Sequence, residues 1–169
     1  ANFKRFKNYV REEKEGLVKA AYSAYRERSL GLGAMGFHAY LQSKGLPFKG
    51  LQSTSNNHVM FSHIKSRALE ATRRLSEERG EAPDVHGSNT RNAHLLAVAP
   101  NASSSIICGG TSPSIEPYRA NSFTHKTLSG SYQVRNKYLE RLLKKKRLNV
   151  TEREKVWKDI TGANGSVQH

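Results

Sequence analysis

Six residues, His94-Leu95-Leu96-Ala97-Val98-Ala99, form an apolar block that Pro100 ends and Asn101-Ala102-Ser103-Ser104-Ser105 follows at once. A block this short, bounded by a proline, reads as a strand buried on both faces. Asn101 is a good N-cap for a helix beginning immediately behind it.

The 169 residues amount to one domain's worth of chain, enough for one modest core. Apolar residues make up 36% of them and recur as spaced clusters, which argues against wholesale disorder. No stretch approaches the roughly 20 apolar residues that cross a bilayer, and Ala1-Asn2-Phe3-Lys4-Arg5 lacks the apolar block of a secretory signal. A soluble, cytoplasmic chain without a membrane partner is expected. One cysteine, Cys108, excludes an internal disulfide, a multi-cysteine metal site and a self-contained dithiol centre. The histidines, among them His58, His63, His94 and His125, lack the carboxylate-paired helical spacing of zinc sites, so no metal is expected. Lys and Arg number 28 against 14 Asp and Glu, giving a charge of +14 that points to an anionic partner without choosing one.

Along the chain, Val10, Leu17, Ala20, Ala21 and Ala24 predict a helix from about Tyr9 to Arg26. Ser29 to Gly33 reads as a short buried strand or its exit. Phe37 to Lys44 follows as a helix stopped at Gly45 and Pro47. Gln52 to Ser55 offer N-caps for a helix whose stripe is Met60, Ile64, Ala68, Ala71 and Leu75, ending before Gly80. Glu81 to Asn89 is a loop, Phe123 to Val134 a candidate hairpin, and Asn136 to Leu148 a basic helix. Its Lys144-Lys145-Lys146-Arg147 run reads as a solvated face. Thr151 and Glu154 form a capping-box pair for a last helix carrying Val156, Trp157 and Ile160. Gly162 to Ser166 reads as a loose end where a longer chain was cut.

Gly31-Leu32-Gly33-Ala34-Met35-Gly36 satisfies the G-x-G-x-x-G pattern of dinucleotide sites. The acidic residue such a site needs about 20 positions later is missing from Gly50 to Asn56. Close packing of a strand end against the following helix is the preferred reading of these glycines. The junction after Pro100 is the better phosphate site, because a helix start there exposes unpaired N–H groups and the positive dipole end. Ser103, Ser104 and Ser105 would add hydroxyls, and no lysine is required. Local pattern alone slightly favours an ordinary capped helix whose serines merely tolerate its first turn.

The surrounding residues decide between the two. Arg91-Asn92-Ala93-His94 through Ser104, followed by Thr111-Ser112-Pro113-Ser114-Ile115-Glu116-Pro117-Tyr118-Arg119, resembles the large catalytic subunit of class I ribonucleotide reductase. In that family an R-N-x-x-x-L-x-A-x-x-P signature leads along a barrel strand into the substrate-diphosphate loop, and an I-E-P segment follows. Glu27 to His38 resembles the family too, and the likeness, from about Lys19 to Tyr138, is nearest to forms carried by large bacteriophages. The resemblance implies a carboxy-terminal portion of that subunit, a partial segment of its ten-stranded α/β barrel, mostly helices with a few short buried strands. Residues 1–28 would be a leading helix, 29–134 the barrel strands, helices and phosphate loop, and 135–169 basic helices.

It further implies that Asn101, Ala102, Ser103, Ser104 and Ser105 contact the diphosphate of a ribonucleoside diphosphate, chiefly through backbone N–H and hydroxyl groups. Ala102 departs from members with a glutamate there, and Asn89-Thr90 departs from the glycine and aliphatic residue that often precede the Arg-Asn pair. Glu116 is expected to anchor the turn at Pro117. The family's reaction needs a thiyl cysteine, a reducing cysteine pair and a radical-passing tyrosine pair, and one cysteine cannot fill these roles. Cys108 is expected to be a packing residue, and no catalytic residue or cofactor is expected in this segment. The implied partners are the rest of the catalytic subunit and a diiron-type small subunit that supplies the radical. The segment alone would be inactive, and unstable or oligomeric. A basic nucleic-acid-binding domain is the alternative that the charge keeps open, with steeply salt-dependent binding as its mark.

Overall fold

The computed structural model describes residues 18–127 and 130–168. Its elements in chain order are α1 (Val18–Glu27), α2 (Phe37–Ser43), α3 (Leu51–Arg79), a 3₁₀ turn (Pro83–Val85), α4 (Ala102–Ile107), β1 (Ser122–Thr127), β2 (Gly130–Arg135), α5 (Lys137–Lys145) and α6 (Val150–Gly162). They divide into two compact units, one of residues 1–34 and 51–100, the other of 35–50 and 101–169.

In the first unit the two expected strand segments meet in parallel. Leu30 N–H donates to His94 O at 2.9 Å, Leu32 N–H to Leu95 O at 3.0 Å, and Ala97 N–H to Leu32 O at 3.1 Å. The glycines allow this approach. A Cβ on Gly31 would stand 3.1 Å from Ala97 Cβ, and one on Gly33 would overlap the Ala97 carbonyl, so both serve strand-to-strand packing rather than packing on the next helix. Regular pairing is limited to the single bridge Leu32–Leu96, and both leucines are open to solvent, at 55% and 38% exposure. Expected burial on both faces is therefore not met at these two leucines.

Helix α3 runs 29 residues from Leu51, so Gln52 to Ser55 lie inside it rather than capping it. Its predicted stripe from Met60 to Leu75 is half-buried, and the deepest positions are polar: Ser53, Thr72 and Ser76. Thr72 explains why. Its Oγ1 accepts the N–H groups of Arg91 at 3.0 Å and Asn92 at 3.1 Å and donates to Asn92 Oδ1 at 2.9 Å, while Asn92 Nδ2 donates to Arg28 O at 2.7 Å. The Arg-Asn signature thus fastens the second strand segment to α3. Arg91 and Arg28 complete the join by donating to the last carbonyls of that helix and its exit, Arg79 O at 2.6 Å and Glu81 O at 2.7 Å. Cations suit the negative end of a helix. Burial and the neighbouring Arg28 and Arg79 lower the pKa of Arg91.

The loop after α3 closes on one carboxylate. Glu81 accepts the N–H groups of Gly87 at 2.7 Å and Asn89 at 2.5 Å, and its Oε2 stands 2.9 Å from His86 Nδ1. These bonds, those from the two backbone amides foremost, hold the Glu81 carboxyl below its ordinary range. A depressed folded pKa means that the loop's stabilisation is present above the unfolded carboxylate value and disappears as pH falls through the lowered one. The amide resonances of Gly87 and Asn89 are accordingly expected to shift together at a pH below the ordinary carboxylate value. A midpoint at the ordinary carboxylate value would remove this account.

The second unit has its core where α5 and α6 meet, at Leu143, Trp157 and Ile160 with Leu139, Leu148 and Val156 around them. The hairpin β1–β2 is antiparallel and in register from Ser122–Arg135 to Thr127–Gly130, close to its expected limits. It is tied to α6 by Ser122 Oγ, 2.9 Å from Thr161 Oγ1, and by Arg135, whose fork grips Glu154 at 2.7 and 2.8 Å while lying 5.2 Å above the Trp157 ring. Glu154 is thereby occupied, and the capping box of α6 is Asn149 with Glu152, not Thr151 with Glu154. Asn149 lies outside the helical turn and can fold its side chain back, whereas Thr151 is already within it. The helix expected from Asn136 to Leu148 runs from Lys137 to Lys145, with Asn136 as its N-cap.

Residues 163–166 are not loose. Gly165 is buried with φ +82°, Asn121 N–H donates to its carbonyl at 3.0 Å, and a Cβ there would strike Ala120. Of the helix expected from Tyr9, the part before Val18 lies outside the described residues. The rest forms α1 with Ala21 buried.

Candidate functional site

Helix α4 begins where the sequence places it. Asn101 occupies the N-cap position, but its side chain makes no capping bond to the first turn. Its N–H donates to Pro113 O at 3.0 Å, and its carbonyl accepts from Ser105 N–H at 2.8 Å. The N–H groups of Ala102, Ser103 and Ser104 therefore have no acceptor among the described residues, and all three residues are exposed. Ser105 is different: it is 5% exposed and its hydroxyl donates to Ala102 O at 2.7 Å, so its proton is committed inside the helix. Three free amides and two exposed hydroxyls stand at this positive helix end, a setting that suits an anion.

The helix start is held by residues 111–118. Thr111 N–H donates to Ser105 O at 3.1 Å, and Tyr118 Oη donates to Gly110 O at 2.9 Å. Ser112 and Ser114, both almost wholly buried, cap α2 from outside: Gly36 N–H donates to Ser112 O at 2.9 Å, Phe37 N–H to Ser114 O at 3.2 Å, and Ala39 N–H to Ser112 Oγ at 3.1 Å. This settles the glycine pattern. The α2 N-terminus, where a pyrophosphate would have to sit, is filled by the chain's own serine segment. Gly36 is there because its φ is +85° and a Cβ would stand 2.6 Å from Thr111 Oγ1. Gly36→Ala is expected to cost at least about 1–2 kcal/mol for the left-handed backbone alone. Gly45→Ala, at φ +69° with open space around it, carries the strain without the clash and is the comparison in urea unfolding.

Beside α4 lies a cavity of about 510 Å³ bordered by Ala102, Ser103, Ile106, Phe123, Val134 and Lys137. Lys137 Nζ lies 3.2 Å from Gly109 O. The basic start of α5 comes to this cavity because the hairpin returns the chain to it, a long-range effect for which local pattern carries no signal. Two expectations are corrected. Cys108 is exposed rather than packed, since it follows the last turn of this short helix. Glu116 is exposed and makes no hydrogen bond or ion pair, so it anchors nothing. The turn is held instead by Tyr118 N–H donating to His38 Nδ1 at 3.1 Å.

A parallel strand pair, a strand segment running into an uncapped helix start, and an I-E-P loop that braces it are parts of an α/β barrel. The chain belongs to the ribonucleotide reductase barrel-domain family, whose model matches residues 4–91 and 84–169. It is 47% identical over 153 residues to the ribonucleoside-diphosphate reductase large subunit of Invertebrate iridescent virus 3, covering 90% of this chain and 24% of that protein. To the large subunit of Invertebrate iridescent virus 6 it is 41% identical over 160 residues, covering 95% and 17%. Among solved structures it resembles the Actinobacillus ureae class Id ribonucleotide reductase alpha subunit, with a TM-score of 0.82, 34% identity, and coverage of 99% of this chain and 29% of that one. The fold is thus a partial segment of the reductase barrel, and the chain spans a quarter or less of the curated relatives named here. Among the described residues no helix is long and apolar enough to cross a membrane.

Proposed function

We propose that this chain supplies the substrate-diphosphate cradle of a ribonucleoside-diphosphate reductase catalytic subunit, the enzyme that reduces ribonucleotides to deoxyribonucleotides by radical chemistry. The observation that carries the reading is the trio of unpartnered N–H groups on Ala102, Ser103 and Ser104. They hold the diphosphate, with the Ser103 and Ser104 hydroxyls beside them and Asn101 setting the direction of entry. Ser105 supports the cradle from within. Holding the phosphates fixes where the ribose lies, which is the positional part of catalysis.

The chain's own chemistry stops there. With one cysteine, exposed and at the far end of α4, the hydrogen-abstracting thiyl and the reducing thiol pair come from the rest of the catalytic subunit, and the radical from a diiron-type small subunit. The purified 169-residue chain is expected to give no turnover, and turnover by it would overturn the division of labour. The cradle is tested by amide resonances during titration with a ribonucleoside diphosphate up to millimolar concentration. Ala102, Ser103 and Ser104 are expected to shift most. Unmoved resonances there would sink the assignment.

A further inference from the structure

The second unit contains an open groove of about 990 Å³ that none of the cradle residues lines. Four cationic side chains border it: Lys44 after α2, Arg119 in the loop before β1, and Arg141 and Lys145 one turn apart on α5. No aspartate or glutamate lines it, and none of the four makes an ion pair among the described residues. The nearby carboxylates are engaged elsewhere, Glu140 with Trp157 Nε1 at 2.7 Å and Glu154 with Arg135. His38 and Tyr118 also stand on the groove wall. Burial pushes the pKa of the Tyr118 phenol up to about 12 and pushes the partly buried His38 toward its neutral form.

A solvated helix face would explain Arg141 and Lys145 alone. It does not explain Lys44 and Arg119, which arrive from separate segments at the same concavity. Four like charges gathered without a counter-charge repel one another and are relieved by a multiply charged anion. The volume falls within the range of small-ligand clefts, roughly 300–1,000 Å³, rather than that of an extended track for a nucleic-acid strand.

From this convergence we propose that the groove binds a polyphosphate group, the chemistry shared by a nucleoside triphosphate and inorganic polyphosphate, with Lys44, Arg119, Arg141 and Lys145 as its cationic lining. The inference stands apart from the cradle reading, and the test separates them. Calorimetric titration of the full chain would use ATP, inorganic tripolyphosphate, adenosine, a ten-residue oligothymidylate and an eight-residue oligoglutamate as probes. The two polyphosphates are expected to bind and adenosine not to. Tighter binding of ATP would identify a nucleotide, and equal binding the phosphate chain alone, both in support.

The double variant Arg141→Glu/Lys145→Glu, at exposed positions, is expected to weaken polyphosphate binding at least about tenfold, as loss of charge-assisted contacts requires. Ser103→Glu/Ser104→Glu is expected to leave it unchanged. Absence of polyphosphate binding, binding insensitive to the α5 variant, or binding removed by the cradle variant overturns the proposal. So does preference for the oligonucleotide or the oligoglutamate, which would make the groove a nucleic-acid or protein surface.

Discussion

Replacing Ser103 and Ser104 together by glutamate is expected to abolish ribonucleoside-diphosphate binding by the assembled catalytic subunit, by about a hundredfold or more. The size follows from what is displaced. Two or three hydrogen bonds from helix amides to a charged phosphate are worth more than their neutral counterparts, and each accounts for roughly tenfold or better. Carboxylates in the first turn of α4 would also satisfy its N–H groups and its dipole from within the chain, leaving repulsion where attraction had been. Both positions are exposed, so the fold survives and far-ultraviolet circular dichroism should be unchanged. Ser103→Ala/Ser104→Ala keeps the amides and is expected to cost about tenfold or less. Calorimetry of the three proteins checks the series, and parental affinity in the glutamate variant would remove the cradle from the reading.

Trp157→Ala is expected to be the most destabilising single change in the second unit. The ring is 1% exposed at the centre of the α5–α6 contact, lies under the Arg135 guanidinium and donates to Glu140. Truncation removes the buried surface and leaves a cavity, at a cost of about 3–5 kcal/mol. It also strips Glu140 of a donor and Arg135 of its platform, so the tie between hairpin and α6 loosens with the core. Trp157→Phe keeps most of the volume but loses the Nε1–H, and about 1–2 kcal/mol is expected. Urea unfolding separates the cases, and a truncation costing less than the phenylalanine change would mean that the core is organised around another residue.

What local pattern encodes, the sequence shows well. Asn136 is a polar residue ahead of a helical run, the hairpin is bounded by Ser122 and Arg135, and Asn101 follows a proline-ended apolar block, so each was expected within a residue or two of its place. The misses involve partners far along the chain. Glu154 looks like half of a capping box until Arg135 takes it, after which Asn149 and Glu152 cap α6. Gly31 and Gly33 resemble a phosphate loop until Ala97 arrives beside them. Thr72 and Ser76 read as the polar side of α3, because nothing in their own helix announces that Arg91, Asn92 and Asn89 will need acceptors or donors there. The start of α4 behind Asn101 was legible because a helix start is a local feature. The groove was not, because Lys44, Arg119, Arg141 and Lys145 come from three segments.

The serine cap on α2 bears on how the chain is made. Ala39 waits for Ser112, which lies 73 residues later, and Gly36 and Phe37 wait equally long for the same segment. At cellular synthesis rates of 5–20 residues per second, that is roughly 4–15 s during which a nascent α2 has an open, hydrated N-terminus. A seven-residue helix has little intrinsic stability in water, so α2 can become permanent only after residues 112–114 leave the ribosome. A pause in translation before that point would hold Phe37 and Leu41, both buried in the finished fold, in contact with whatever chaperone attends the exit tunnel.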